Sequence, residues 1–286
     1  MCKNYDYMKS PGQSNILVVG TARDVEKGIS STIFRLSSAL KDFRQVEYLI
    51  CESHSTDQTL KTLEALSLKV KNFYFKSVTQ SSNANWSRTQ RIAFARNFII
   101  EQIRLNYSHF DYVCVVDLDS VNRGITTEGI RSCWKYDDWS MMSANQPSFY
   151  YDIYALRHSD WSPNDYLQSY LNLSKIFGIK TARRVTKNSR IIKIPKNLPP
   201  IKVESAFGGL AIYRVSDYLS STYIGITESG IDICEHVAFN KVLIDRGCNL
   251  YINPKLVNQT KFEQSYLYRS IRSILNYSRD KLRNKL

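Results

Sequence analysis

The stretch HFDYVCVVDLDSVNRG, residues 109–124, decides how the whole chain is read. An apolar run from Tyr112 to Val116 ends abruptly in two aspartates, Asp117 and Asp119. Five apolar residues, three of them valine, suit a short strand buried on both faces. A carboxylate taken out of water is unfavourable without a cationic partner, and two neighbouring carboxylates repel each other. A divalent cation answers both problems. Residues i and i+2 of a strand share a face, so Asp117 and Asp119 are expected to point the same way. If the chain bends at the strand end, one binds the metal and the other holds a neighbouring group. Hard oxygen ligands suit Mg2+ or Mn2+, which keep positions open for phosphate oxygens. The plain rival is an Asp-x-Asp that only caps the following turn.

Working outward, strands alternate with helices over residues 15–120. Ile16 to Val19 forms a first strand that runs straight into the loop residues Gly20, Thr21, Ala22, Arg23 and Asp24. Residues 28–42 place Ile29, Ile33, Leu36 and Leu40 at helical spacing. QVEYLICES (45–53) is a second strand. STDQTLKTLEAL (55–66) is a helix, with Ser55 as its expected N-cap and Gln58 at the capping-box position. KVKNFYF (69–75) is a third strand, and RTQRIAFARNFIIEQIRLN (88–106) a long helix with Ile92, Ala95, Ile99 and Ile103 on one face. This alternation predicts an α/β fold, a mostly parallel central sheet with helices on both faces. Ligands of such sheets gather at the carboxyl ends of the strands. Three polar clusters fall there: residues 20–24, Cys51-Glu52-Ser53, and 117–120.

Beyond residue 120 the pattern loosens. A helix is expected over 126–135, a strand over 139–145, and a polar, basic insertion with some helix over 158–200. FGGLAIYR (207–214) reads as a strand, CEHVAFNKVLIDRG (234–247) as a helix stopped by Gly247, and NLYINP (249–254) as a strand. The organisation expected is a tail over 1–14, one domain over 15–257 and a basic amphipathic segment over 258–286. Within the domain, a resemblance set out below implies a nucleotide-binding half over 15–120 and an acceptor half over 121–257.

The bulk composition narrows the classes. With 286 residues, 43% hydrophobic and 23% charged, the chain can bury a core and is not disordered. No apolar run approaches the roughly 18 to 20 residues that span a bilayer. The N-terminus has no signal-peptide core, so the expected location is cytoplasmic. Six cysteines, with no CxxC pair, read as reduced and mostly buried thiols. Asn-x-Ser/Thr sequons at Asn85, Asn106, Asn172, Asn258 and Asn276 read as chance. A net charge of +13 fits nucleic acid, an anionic membrane or anionic small substrates. No recognisable nucleic-acid-binding motif supports the first, so no nucleic-acid partner is expected.

The ordered set of features resembles GT-A nucleotide-sugar glycosyltransferases. More narrowly, YLICESHSTDQTL (48–60), ARNFII (95–100), FDYVCVVDLDSV (110–121) and SFYYDIYALR (148–157) resemble the fungal capsule-associated α-1,3-mannosyltransferase family. The resemblance covers roughly residues 15–250. It implies a hexosyltransferase, with mannose one candidate sugar, acting from a nucleoside-diphosphate sugar on a glycan or lipid-linked saccharide. By resemblance Thr21, Ala22, Arg23, Glu52, Ser53, Asp57 and Arg96, with Asp117 and Leu118, hold the donor nucleotide. Asp119, Asp117 and His236 are the metal candidates, for Mn2+ or Mg2+. Tyr151, Asp152, Gly208 and Gly209 lie near the sugars. Glu235 stands where inverting members carry a catalytic base, with His236 and Asp152 as further catalytic candidates.

Alternatives stay open at several positions. Asp57 can instead cap the helix near Ser55. Arg88 and Arg91 read as a solvated helix face. His236 departs from a second acidic residue, and serves as a metal ligand, a base or a structural histidine. The tail, with Tyr266, Leu267, Ile271, Ile274 and Leu275 among Arg269, Arg272, Arg279 and Lys281, either lies on the inner membrane face or packs on the domain. A nucleotidyltransferase is the rival enzyme class, although residues 18–28 make a poor Gly-rich phosphate loop.

Overall fold

Strand alternation decides which side each core residue faces. The computed structural model describes residues 8–79 and 86–258. Strand β1 (Asn15–Ala22) sends Ile16 and Val18 to one face of the sheet and Leu17 and Val19 to the other. On the first face lie α1 (Ile29–Ala39), through Ile29, Ile33 and Leu36, and, after β2 (Gln45–Glu52), α2 (Thr59–Lys69), through Leu63 and Leu66. After β3 (Phe73–Ser77), α3 (Arg88–Gln102) covers the second face with Ala93, Ile99 and Ile100. A π-helical turn, Ile103–Tyr107, extends α3 before β4 (Tyr112–Val116).

The second half adds α4 (Thr127–Arg131), β5 (Met141–Asn145), α5 (Tyr166–Thr186), β6 (Ile201–Val203), β7 (Leu210–Arg214), α6 (Val215–Tyr218), α7 (Glu235–Asp245) and β8 (Leu250–Val257). The eight strands run in the order β3-β2-β1-β4-β7-β5-β8-β6. β7 is antiparallel to β4 and β5, and β6 is antiparallel to β8; the other pairings are parallel. Six strands therefore share one direction, and the expected mostly parallel α/β sheet with helices on both faces is present. Strand order reverses between β1 and β4, with Val19 opposite Val115. That switch point opens a crevice at the carboxyl ends of the two strands.

Several local expectations differ. Helix α2 starts at Thr59, and Ser55 is not its N-cap: the Ser55 hydroxyl accepts the Asp24 amide, and Gln58 makes no cap bond. Asp57 meets the helix start instead, accepting the Thr59 amide at 2.9 Å. Helix α3 carries the reciprocal capping box, between Ser87 and Gln90. The third strand starts later than residue 69, because Val70 still closes α2 through Leu66. Cys51, Cys114, Cys133, Cys234 and Cys248 are all buried. Cys2, Asn85, Asn276 and the basic segment proposed from Tyr266 to Lys281 lie outside the described residues.

Candidate active site

β4 stops at Val116, so the aspartates sit on the bend beyond it rather than in extended strand. The Asp117 amide donates to the Gly209 carbonyl at 2.9 Å, and Asn122 donates to both the Asp117 and Gly209 carbonyls, each at 2.9 Å. Ser120 follows with φ 78°, a left-handed conformation that non-glycine residues seldom adopt. The turn still delivers Asp117 and Asp119 to one cleft of about 600 Å³ at the carboxyl edge of the sheet. Leu118 lines the same cleft while its side chain is buried in the core.

Thr21, Ala22 and Arg23 at the end of β1 line the cleft, as does Ser53 after β2. Glu52 does not line it. Its carboxylate accepts the Ser55 amide at 2.7 Å and the Ser77 hydroxyl, which shapes the loop that presents Ser53. Asp57 is also absent from the lining, and ties the Glu26 amide to the start of α2. Asp24 adds three bonds, from the Thr56 amide and hydroxyl and the Asp57 amide. These hydrogen bonds hold its pKa below the usual range, the Thr56 amide first.

Helix α3 gives the cleft its cations. Arg88, Arg91 and Arg96 line it together with Arg23. Arg88 is exposed, as expected of a solvated face, whereas Arg91 is half-buried and donates to the Trp86 carbonyl; both border the cavity at the start of α3. Arg96 sits on the inward stripe with Ala93, Ile99 and Ile100, its side chain only 5% exposed. It lies 3.8 Å from an Asp117 carboxylate oxygen and 3.4 Å from one of Glu235. Its guanidinium stands over Phe207 and Tyr223, at 5.2 and 5.4 Å from the ring centroids. Burial opposes its charge, but Tyr223, Glu235 and Asp117 outweigh that and raise its pKa. The next residue, Asn97, clamps the backbone of Tyr223 with two bonds, of 2.9 and 2.8 Å.

Burial, and the nearby Asp119, Asp152 and Glu235, push the Asp117 carboxyl up to about 7 against the pull of Arg96. Water still reaches it from the cleft, since its side chain is 42% exposed. Asp152 is also raised, by burial first and Glu235, although the Gly208 and Ala155 amides donate to it at 2.9 and 3.4 Å.

Tyr151 and Asp152 line the cleft, whereas Tyr150 is fully buried in the core. Gly208 and Gly209 have φ of 69° and 87°, and a Cβ on Gly208 would meet the Ala144 carbonyl at 2.5 Å. Their carbonyls anchor a buried amide network that sequence reasoning missed. Gln146 and Asn258 donate to the Gly208 carbonyl at 3.1 and 2.7 Å, and Asn258 donates to Asn122 at 3.0 Å. Amides carry no periodic signal, so only the fold shows that these residues meet. Val25, Ile92, Ala95, Tyr154, Ala155, Phe207 and Cys234 complete the missed lining.

Glu235 and His236 open α7 and line the cleft, both buried. His236 stacks flat on Phe207 at 3.9 Å, and neither ring nitrogen has a hydrogen-bond partner. Burial and Arg96 drive its pKa well down, so the ring is neutral. Among the described residues no three His, Cys, Asp or Glu side chains form a group able to hold a metal. His236 thus does not join Asp117 and Asp119 in a closed ligand set. The two hard carboxylates do fit Mg2+ or Mn2+ with remaining positions left to phosphate and water.

Fold and site together define an α/β class in which an acidic strand tip and an arginine-lined wall face each other across the sheet's switch point. No protein-family model matches the chain, and no curated protein matches it in sequence. Solved structures are similar in architecture. S. aureus TarS matches with a TM-score of 0.47 and 15% identity, over 86% of this chain and 60% of that one. The mannosyltransferase PcManGT from Pyrobaculum calidifontis, in complex with GDP-Man and Mn2+, gives 0.48 and 12%, over 90% and 60%. Glucosyl-3-phosphoglycerate synthase from Mycobacterium tuberculosis, with phosphoglyceric acid, gives 0.41 and 12%, over 86% and 69%. The chain thus spans 60% of the length of TarS and of PcManGT.

Proposed function

We propose that the chain is a metal-dependent GT-A glycosyltransferase that moves a hexose from a nucleoside-diphosphate sugar to a glycan or lipid-linked saccharide. One observation carries the reading: Asp117 and Asp119 share a single cleft with Arg23, Arg88, Arg91 and Arg96. Carboxylates and guanidiniums in one cavity suit a diphosphate bridged by a divalent cation. Asp117 and Asp119 would hold Mn2+ or Mg2+, which when bound screens the diphosphate and supports its departure. Thr21, Ala22, Arg23 and Ser53 flank the nucleotide, and Arg96 faces the phosphates.

Glu235 takes the proton of the acceptor hydroxyl. The hydroxyl oxygen attacks the anomeric carbon, the bond from that carbon to the diphosphate breaks, and nucleoside diphosphate leaves. Asp152, fixed by the Gly208 amide, orients acceptor hydroxyls beside Tyr151 and the two glycines. His236, neutral and with both ring nitrogens buried, stacks on Phe207 and backs the cleft wall beside Glu235 rather than meeting the sugar.

The test is product identity. Incubation with a panel of nucleoside-diphosphate hexoses and Mn2+ should release nucleoside diphosphate from one donor. Release of pyrophosphate, from nucleoside triphosphate and a sugar phosphate, would instead make the chain a nucleotidyltransferase. Glu235→Gln should cut turnover about a hundredfold or more while donor affinity changes little; lost affinity with turnover per bound donor retained would make Glu235 a binding residue.

A further inference from the structure

Helix α5 buries almost nothing. Of its 21 residues only Ala182 and Thr186 are buried. Ile176, Phe177 and Ile179 are 70, 60 and 67% exposed, and Leu171 and Val185 are exposed as well. Single exposed apolar residues are ordinary on a protein surface, but a cluster of large ones marks an interaction site. The helix also breaks at its most apolar point. Gly178 has φ 76° and ψ 161°, a region nearly closed to residues with a side chain, and a Cβ there would meet nothing within 4 Å. Ile176, Phe177 and Ile179 therefore flank a corner that faces open space.

The charge around this corner has one sign. Lys175, Lys180, Arg183 and Arg184 are exposed, and residues 166–187 contain no Asp or Glu. No helix among the described residues is long and apolar enough to cross a membrane. A short apolar wedge ringed by cations suits the boundary between headgroups and acyl chains, with the cations at the phosphates.

We propose that the α5 corner docks the protein on an anionic lipid surface. Charge decides against two occupants this chain could itself supply. Residues 259–286 carry seven Lys and Arg against Glu263 and Asp280, so they are repelled, as is a second copy of α5. A polyanion such as RNA would match the charge but leave the apolar corner in water. The base of α5 lies next to the cleft: Tyr166 packs edge-on against Tyr154, which lines the cavity, and Lys187, at the other end of the helix, stands over the Tyr166 ring, so the Gly178 corner projects from a base at the cleft. Docking would bring the cleft mouth towards a lipid-linked acceptor. That last step rests on the transferase reading, whereas lipid binding does not.

The test is co-sedimentation of the full chain with phosphatidylcholine vesicles, with and without phosphatidylglycerol. The parent chain should bind only the anionic vesicles, and hydrogen exchange over residues 170–187 should slow on binding. Ile176→Ser/Phe177→Ser/Ile179→Ser should weaken partitioning about tenfold or more, with an unchanged unfolding transition because the side chains are exposed. Lys175→Glu/Lys180→Glu should weaken it too, most at low salt. The proposal is overturned if the serine variant binds as well as its parent, if 170–187 gain no protection, if neutral vesicles bind equally, or if heparin binds and vesicles do not. Metal-dependent donor hydrolysis in the absence of vesicles should be equal in the parent and serine chains. Its absence from both would count against the transferase reading alone.

Discussion

Burial first, and then Asp119, Asp152 and Glu235, disfavour the charged form of Asp117. Its folded pKa, about 7, stands above the ordinary value of 3.8. The folded chain therefore binds this proton more tightly than the unfolded chain does. Below pH about 4 both states are protonated and no penalty applies; the penalty grows as pH rises and is complete above about 7. Asp117→Asn removes it. The Tm of the variant minus that of the parent, measured without metal, should rise from near zero at pH 4 to a few degrees at pH 8. A flat difference would mean that Asp117 is not the titrating group. Asp119 is exposed at the same turn. Asp119→Ala should leave the Tm within about 2 °C of the parent and abolish the Tm rise that Mn2+ and donor together produce. Both aspartates were legible in the sequence because a hydrophobic strand ended on them. Arg96 was picked out only by resemblance; its burial against Asp117 and Glu235 is what the structure adds. Glu52 and Asp57 drew attention by residue type and position, but their oxygens are taken by nearby amides that a sequence does not display.

At the level of elements, the cleft depends on how α3 meets the segment between α6 and α7. Asn97 clamps Tyr223, Thr89 donates to Asp232 at 2.9 Å, and Gly225 lies flat on the first turn of α3. A Cβ on Gly225 would stand 2.3 Å from the carbonyl carbon and oxygen of Thr89, both backbone atoms that cannot move aside cheaply. Gly225→Ala should cost about 2 kcal/mol in urea unfolding and weaken donor binding, because Arg88 and Arg91 sit on that turn. Asn97→Ala should cost about 1 to 3 kcal/mol, since it leaves the Tyr223 amide and carbonyl without their partner. Neither contact is visible as a local pattern: each joins residues more than a hundred positions apart. The start of α2 escaped for a different reason. Ser55 and Gln58 have the spacing of a capping box, but Asp24 draws the Ser55 hydroxyl away.

For the molecule as a whole, the alternation of strands and helices up to residue 120 carried the fold, because each βαβ unit is a local event with its own hydrophobic periods. The far side of the sheet was less legible. β7 inserts between β4 and β5, and β6 joins the edge beside β8, by pairings that bring distant segments together. Those pairings place Gly208 and Gly209 beside Asp117, so half of the candidate site depends on them. Ligand binding should therefore stabilise the whole sheet. Mn2+ with the correct sugar nucleotide, at about 100 times its Kd, should add about 2.7 kcal/mol to unfolding, and one donor in a thermal-shift panel should stand apart.

Asn258 is fully buried, donating to Asn122 and to the Gly208 carbonyl beneath the cleft, yet Asn258-Gln259-Thr260 is an acceptor sequence for N-linked oligosaccharide. In a eukaryotic secretory host, modification of the nascent polypeptide there would compete with folding. A branched glycan on that nitrogen has no room inside the protein. Mass spectrometry of such a preparation should find Asn258 bare in every active molecule and the modified fraction in aggregates. Expression in bacteria avoids the conflict.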